Sequence, residues 1–349
     1  MKSEKHISKP KALLFWIIGI FLILLIILIP AELLTRAFSE STPYYKKAAL
    51  DDQLGWRTKS FYKAEYEARI KGGGSYKVVY QTDSLGFRPF GDLNSTKQRI
   101  FTLGDSYTQA VEANNGKTYA DFLADSLDLE LFSYGQAGYG TYQQYLFLEE
   151  HIDLLDPDIV ILQVCDNDFI DNYAPLEMLS SYKVGEERPY LLPNGKAVFR
   201  RPYPLWQRIN DKSKFLKLIR KKFQTSFDAS KSAQYYINEQ GLDYEPYKVS
   251  WDITKDCMAK IKNLTEAKGI PLVVLIASHF EPYATDMHSL CKPHNIPCLS
   301  GPANYVKQQE QSNPAVRTAD GYHWTELGHE MIAVQMQDTI RSILRTQQN

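Results

Sequence analysis

Three residue types that together turn a hydroxyl into a nucleophile stand at separate points of this chain. Ser106 lies in Gly104-Asp105-Ser106-Tyr107-Thr108, directly after the apolar run Arg99-Ile100-Phe101-Thr102-Leu103, and far downstream comes Asp320-Gly321-Tyr322-His323. A serine hydroxyl is a weak nucleophile at neutral pH. It needs an imidazole to take its proton, and a carboxylate to hold that imidazole in the right tautomer and steady its positive charge. These residues point to ester cleavage or acyl transfer through an acyl-serine. Alone, Ser106 also reads as a helix cap, because Gly-Asp-Ser ahead of a helix is a common start signal.

The elements that must position these side chains are legible as apolar runs alternating with helical segments. Residues 100–103, 129–134, 159–164 and 272–277 read as strands, the first three with helices between them, which predicts a parallel sheet covered on both faces. In such a sheet ligands bind beyond the carboxyl ends of the strands. Ser106 follows the first strand, Gly135-Gln136-Ala137-Gly138-Tyr139-Gly140 the second and Asp166-Asn167-Asp168 the third, so polar groups and pliant glycines converge on one edge. His323 falls just ahead of a helix expected over residues 326–343, and His329 is expected to pack or cap within that helix. His279, after the strand ending at Ala277, is a possible substrate contact.

Gly104-Asp105-Ser106, Gly138, the Asn167-Asp168 pair and Asp320-x-x-His323 occur in the order of the four blocks of the SGNH, or GDSL, hydrolase family, and residues 99–340 resemble it. The resemblance implies a flavodoxin-like three-layer α/β/α sandwich. It also implies that Ser106 is the nucleophile, His323 the base and Asp320 its orienter, with the backbone N–H groups of Ser106 and Gly138 and the side chain of Asn167 forming the oxyanion hole. Thr82-Asp83-Ser84-Leu85-Gly86-Phe87-Arg88 resembles a segment preceding the catalytic domain in membrane-anchored bacterial members. Two positions depart from the pattern: Cys165 stands where the third block has glycine, and Ser133 where an asparagine often precedes the second-block glycines. The α/β-hydrolase fold is disfavoured, since the serine motif lacks its closing glycine and Asp320 lies only three residues before His323. Asp105 and Asp168 are expected to tie loops together.

Composition narrows the setting. A net charge of −1 over 349 residues gives no concentrated excess of cations for a nucleic acid. Cys165, Cys257, Cys291 and Cys298 form no C-x-x-C pair, no H-E-x-x-H stands in the chain, and the acidic residues Asp166, Asp168 and Asp171 lack the glycine and terminal glutamate of a calcium loop. No metal and no cofactor is expected. Residues 12–29 carry no charge, close to the length that spans a bilayer, and Lys2, Lys5, Lys9 and Lys11 precede them, which puts the N-terminus in the cytoplasm and the rest outside, as an uncleaved anchor rather than a signal peptide. The expected order is a cytoplasmic tail (1–11), a transmembrane anchor (12–30), a membrane-proximal stem (31–98) and the catalytic domain (99–349) with an insertion at about 173–250. Outside the cytoplasm a disulfide is possible between Cys291 and Cys298, which flank a short Pro-containing turn able to bring them together, while Cys165 and Cys257 read equally well as free buried thiols. Residues 212–223 read as an amphipathic basic helix, either an ordinary packed helix or a contact for anionic glycan or lipid headgroups. The 23 Tyr and 5 Trp suit stacking on sugar rings and equally an ordinary interface, so it is the location that favours an O-acylated carbohydrate of the cell envelope as substrate. Three readings stand: an O-deacetylase; an O-acetyltransferase sharing the first half-reaction and served by an acetyl-delivering membrane protein; and a catalytically inactive glycan-binding or scaffold protein.

Overall fold

In the computed structural model, residues 9–38, 48–88, 90–180, 187–200, 213–216, 218–219, 232–278 and 280–347 are described. They fall into two compact units, Met1–Pro43 with Tyr203–Asp228, and Tyr44–Pro202 with Ala229–Asn349.

The first unit contains α1 (Lys9–Phe38), of which Leu13–Phe38 is long and apolar enough to cross a membrane. Near its C-terminal end the Glu32 carboxylate accepts hydrogen bonds from the Ser213 hydroxyl (2.6 Å) and from the Lys214 and Phe215 amides (3.0 Å each). Of the expected basic helix (212–223), 214–216 and 218–219 are helical and Ser213 is not; its other residues, and His279, lie outside the described residues.

The second unit opens with two antiparallel pairs, β1 (Ala48–Asp51) with β2 (Gly55–Thr58) and β3 (Lys63–Arg69) with β4 (Ser75–Gln81). There follow β5 (Arg99–Gly104), α2 (Ser106–Gln109), α3 (Tyr119–Leu127), β6 (Glu130–Gly135), α4 (Thr141–Leu155), β7 (Ile159–Val164), α5 (Asp166–Asp171) and α6 (Ala174–Glu177). After these come β8 (Arg188–Leu191), β9 (Ala197–Arg200), α7 (Ala233–Gln240), α8 (Glu245–Glu266), β10 (Leu272–Ile276), α9 (Tyr283–Cys291), β11 (Cys298–Leu299), α10 (Gly301–Glu310) and α11 (Glu326–Thr346).

Five strands pair in parallel in the order β11-β10-β7-β5-β6. Counted from β5, this is the flavodoxin-like order, whose switch point lies between β5 and β7. Every residue of β7 and β10 is buried, as a strand covered on both faces requires. Alternation divides their side chains. Phe101, Leu103, Val160, Leu162 and Val274 pack with Phe147, Leu148 and Met258 of α4 and α8. Ile100, Ile161, Val273 and Leu275 pack with Leu123, Val306, Ile332 and Met336 of α3, α10 and α11. Each such side chain contributes about 1.5–3 kcal/mol on leaving water.

Two expected boundaries are corrected. Of the expected stem (31–98), residues 48–88 and 90–98 fall in the same compact unit as the expected catalytic domain, and a few of their side chains enter its core. Leu54, Trp56 and Phe87 lie in the main apolar cluster, with the Phe87 ring 5.3 Å from that of Tyr134 and 5.6 Å from that of Phe147. Nor is the insertion continuous over 173–250. The part that separates is 203–228, and α8 packs against α4 with a buried stripe including Ile253, Met258 and Ile261. Pro246 stands in the first turn of this helix, where a missing N–H breaks no intrahelical bond. Cys291 and Cys298, the expected candidates for a disulfide, stand as free thiols at the two ends of the turn between α9 and β11, and interaction with Cys291, then burial, pushes the Cys298 thiol well up.

Candidate active site

The turn after β5 is built around contacts only glycine permits. A Cβ on Gly104 would stand 2.3 Å from Gln163 Oε1 and 2.4 Å from Thr108 Oγ1, and one on Gly135 would stand 2.0 Å from the Gln109 nitrogen. These two glycines let α2 sit directly on the ends of β5, β6 and β7. Asp105, not Ser106, is the helix cap: its carboxylate accepts the Tyr107 N–H at 3.0 Å. Ser106 therefore occupies the first helical position, leaving its hydroxyl for other work. Gln163 of β7 pins the turn from below, its side-chain oxygen accepting from the Asp105 amide (3.1 Å), the Thr108 amide (3.1 Å) and the Thr108 hydroxyl (2.9 Å).

The downstream hairpin brings the other two residues to this turn. Arg317 bridges to Trp324, and the Thr318 N–H donates to the His323 carbonyl at 3.0 Å. Inside the hairpin, Asp320 Oδ1 accepts from the Thr318 hydroxyl (2.7 Å), the Tyr322 N–H (2.8 Å) and the His323 N–H (3.1 Å). With one oxygen thus held, Oδ2 faces His323 Nδ1 at 2.6 Å, and His323 Nε2 lies 2.9 Å from Ser106 Oγ. The Asp-x-x-His spacing accordingly has a local cause, a turn wrapped on one carboxylate oxygen with the other presented to the ring. The Tyr107 ring lies 5.0 Å from that of His323 and donates its hydroxyl to the Tyr322 carbonyl (3.1 Å), while buried Trp324 packs on Tyr107 at 4.7 Å.

The electrostatics of the pair follow from this arrangement. Burial pushes the Asp320 carboxyl up, but the hydrogen bond and charge of His323, with the Tyr322 N–H and the Thr318 hydroxyl, hold it well below the usual carboxylate range. For His323 burial works downward. The charge of Glu112, the hydrogen bond and charge of Asp320, and then Asp105 outweigh it and raise the imidazole to about 9. Glu112 drew no attention in the sequence, because nothing in its local spacing ties it to a histidine 211 positions away.

Gly138 stands on the loop after β6, which is tied to α2, and Asn167 in the first turn of α5, directly after β7. Gly138 has φ +78°, the left-handed region that favours glycine, and the amides of Gly138 and Ser106 have no hydrogen-bond acceptor among the described residues. The preceding Ala137 amide donates to Gln109 Oε1 at 3.2 Å, and its carbonyl accepts from Trp56 Nε1 at 3.2 Å. Asn167 Nδ2 donates to Asp171 Oδ2 at 2.8 Å, leaving its second N–H without a partner among the described residues. Arg188, fully buried, lies 3.6 Å from Asp171 and 3.4 Å from Glu177, under the ring of Trp56 at 4.8 Å. Removing one partner of such a buried ion pair typically costs about 3–5 kcal/mol.

Cys165, the departure from glycine, is buried and directs its thiol to Asp105 Oδ2 at 2.9 Å, joining the third block to the helix cap; burial, then the nearby aspartates, push this thiol well up. Asp168 accepts the Cys165 N–H (2.8 Å) and Gln144 Nε2 (2.9 Å), so Asp105 and Asp168 both bind loops together. Ser133 lies inside β6 and accepts from the Thr102 hydroxyl at 2.8 Å. His329 is buried in α11, where Nδ1 accepts the Tyr119 N–H at 3.2 Å.

Residues 100–195 match the model of the GDSL-like lipase/acylhydrolase family. The match takes in Ser106, Gly138 and Asn167, and Asp320 and His323 lie beyond it. No curated protein matches the chain. Among solved structures it is similar to a psychrotrophic esterase from Pseudoalteromonas sp., at 11% identity over 71% of this chain and 99% of that one, with a TM-score of 0.41. It is also similar to an acetylxylan esterase from Geobacillus stearothermophilus, at 13% identity over 71% of this chain and 94% of that one, with a TM-score of 0.40.

Proposed function

From the premise that the chain belongs to the SGNH, or GDSL, hydrolases and is an ester-cleaving enzyme, we propose that Ser106, His323 and Asp320 form its catalytic triad and that it removes O-acyl groups, acetyl first, from carbohydrate of the cell envelope. The observation carrying this reading is the unbroken line from Asp320 Oδ2 through His323 to Ser106 Oγ, at 2.6 and 2.9 Å.

In the neutral ring, Nδ1–H donates to Asp320 and Nε2 accepts the Ser106 hydroxyl proton. As Oγ bonds to the acyl carbon, that proton passes to Nε2, and negative charge gathers on the former carbonyl oxygen. The Ser106 and Gly138 amides and the second N–H of Asn167 are the donors for it. One such donor is worth about 3–4 kcal/mol in the transition state. The imidazolium then gives its proton to the departing sugar oxygen, leaving acyl-Ser106 and a free hydroxyl. Water, deprotonated by the same ring, attacks the acyl carbon; the acyl–Oγ bond breaks, the imidazolium returns its proton to Ser106 Oγ, and the carboxylic acid leaves.

Support for a carbohydrate comes from the rim. Phe280 and Tyr322 are both 39% exposed with ring centroids 6.2 Å apart, and Tyr322 adjoins the catalytic histidine. Apolar ring faces at such a site suit the C–H face of a pyranose. Support for the location is α1 with its upstream lysines, which we read as a membrane anchor with the catalytic unit on the non-cytoplasmic side.

The test is to incubate the full chain in detergent micelles with acetylated envelope oligosaccharides, and separately with an activated acetyl ester plus unacetylated ones, quantifying acetate and glycan by mass spectrometry. Acetate release from the first mixture that is lost in Ser106→Ala supports the reading. Ser106-dependent acetylation of glycan in the second, without release in the first, would make the protein a transferase. No Ser106-dependent product in either would remove the carbohydrate assignment.

A pH profile supplies a second check. The base must be neutral to accept a proton, and its ring is raised to about 9, so kcat/KM on p-nitrophenyl acetate is expected to climb from pH 7 through pH 9. The stability contributed by the raised imidazole runs the other way: it is full below the unfolded value near 6.5 and is lost as pH rises through 9. Activity flat between pH 6 and 9 would show that His323 is not the titrating base.

A further inference from the structure

The loop between α2 and α3 carries a carboxylate that the triad does not use. One oxygen of Glu112, one of Asp320 and a ring nitrogen of His323 all lie within 4.8 Å of one another. The loop presenting Glu112 is held from three directions. Arg88, 3% exposed, donates to the carbonyls of Gln109 (2.7 Å), Ala110 and Ala113 (2.6 Å). From the β3–β4 hairpin, the Tyr66 hydroxyl donates to the Val111 carbonyl, the Tyr76 hydroxyl to the carbonyl of Glu112 itself (2.5 Å), and the Val79 N–H to Asn114 Oδ1 (2.7 Å). From α11, the Glu326 carboxylate accepts the Asn114 backbone N–H at 3.0 Å and its side-chain amide at 2.7 Å. This bracing fixes a charge that a free loop would let swing into water.

We propose that Glu112 is a positioning residue for His323, a second carboxylate whose field stabilises the imidazolium formed when Ser106 loses its proton. The inference rests on the triad reading given above. Asp320 takes the Nδ1 proton and fixes the tautomer, whereas Glu112 acts through space. The other groups facing the ring are Asp105 beneath it at the end of β5, the phenol of Tyr107 against it, Arg317, whose guanidinium binds the Tyr322 carbonyl, Tyr322 on the rim, and His329 behind Trp324. Of these only Asp105, Asp320 and Glu112 bring negative charge. Glu112 differs from Asp320, whose carboxylate ties its own hairpin together: the Glu112 loop is held through main-chain groups such as the Glu112 carbonyl.

The experiment uses the full chain in detergent micelles with isotopically labelled histidine, the His323 ring signal being assigned by its loss in His323→Gln. In Glu112→Gln the midpoint of His323 titration is expected about 1–2 pH units lower, the shift that one opposite charge at this range produces, with Glu112→Asp restoring most of it. The acid limb of kcat/KM on p-nitrophenyl acetate should move by the same interval. An unchanged midpoint in Glu112→Gln overturns the proposal, and so does a lowered midpoint with an unmoved acid limb. If the midpoint falls but the native chain shows no Ser106-dependent turnover, the triad reading fails while the coupling between Glu112 and His323 stands.

Discussion

Ser106→Ala is expected to lower kcat on any ester substrate by about 10⁶-fold, close to 8 kcal/mol of transition-state stabilisation, with thermal stability unchanged. The hydroxyl's hydrogen bond is to His323 Nε2, and the turn is held instead by Asp105, Gln163 and the two close-packed glycines, so removing one oxygen leaves the fold intact. Steady-state kinetics with a fluorogenic acetate and a melting curve of the same sample check both halves. A serine-reactive phosphonate should label the native protein and not the variant. Turnover retained within tenfold would mean that another nucleophile works, and the acyl-serine scheme would fall.

Asp320→Asn is expected to cost about 10⁴-fold in kcat, because it reverses the tautomer while sparing the loop. The asparagine oxygen can still accept from Thr318, Tyr322 and the His323 N–H, the three bonds that Asp320 Oδ1 accepts. The Oδ2 position becomes an NH₂ group, which can only donate to Nδ1. The ring proton then moves to Nε2, which can no longer accept from Ser106. Glu112 does not rescue this variant, since it supplies charge without the hydrogen bond that selects the tautomer. Activity near the native value, with the hairpin intact by amide exchange, would exclude Asp320 as orienter.

How much of this was legible in the chain depends on the range of each contact. The strands before Ser106, Gly138 and Asn167 could be read because apolar runs are local, and the Asp320 to His323 geometry because a three-residue turn is local. Glu112, Gln163 and Arg188 could not. Glu112 meets His323 through loop packing, Gln163 reaches the Ser106 turn across a sheet pairing, and Arg188 is linked to Asn167 by way of Asp171. Each carries a residue type that is ordinary for its place in the sequence. The two-residue strand β11 is too short for periodicity to mark. Residues 48–98 were misjudged for a related reason: their Tyr- and Gly-rich texture masks the few side chains, Trp56, Phe87 and Arg88, that decide where they pack.

That packing separates the smallest segment holding the motifs from the smallest segment able to fold. A chain cut at residue 99 would keep Ser106, Gly138, Asn167, Asp320 and His323, yet lose Phe87 from among Phe101, Tyr134 and Phe147, and Trp56 from beside Tyr139 and Arg188. It would also lose Arg88, leaving the carbonyls of Gln109, Ala110 and Ala113 without their donor. Such a fragment would present an aromatic wall to water and aggregate, so a soluble form should begin ahead of β1, and a search confined to the motif blocks will understate the length of chain that the active site requires.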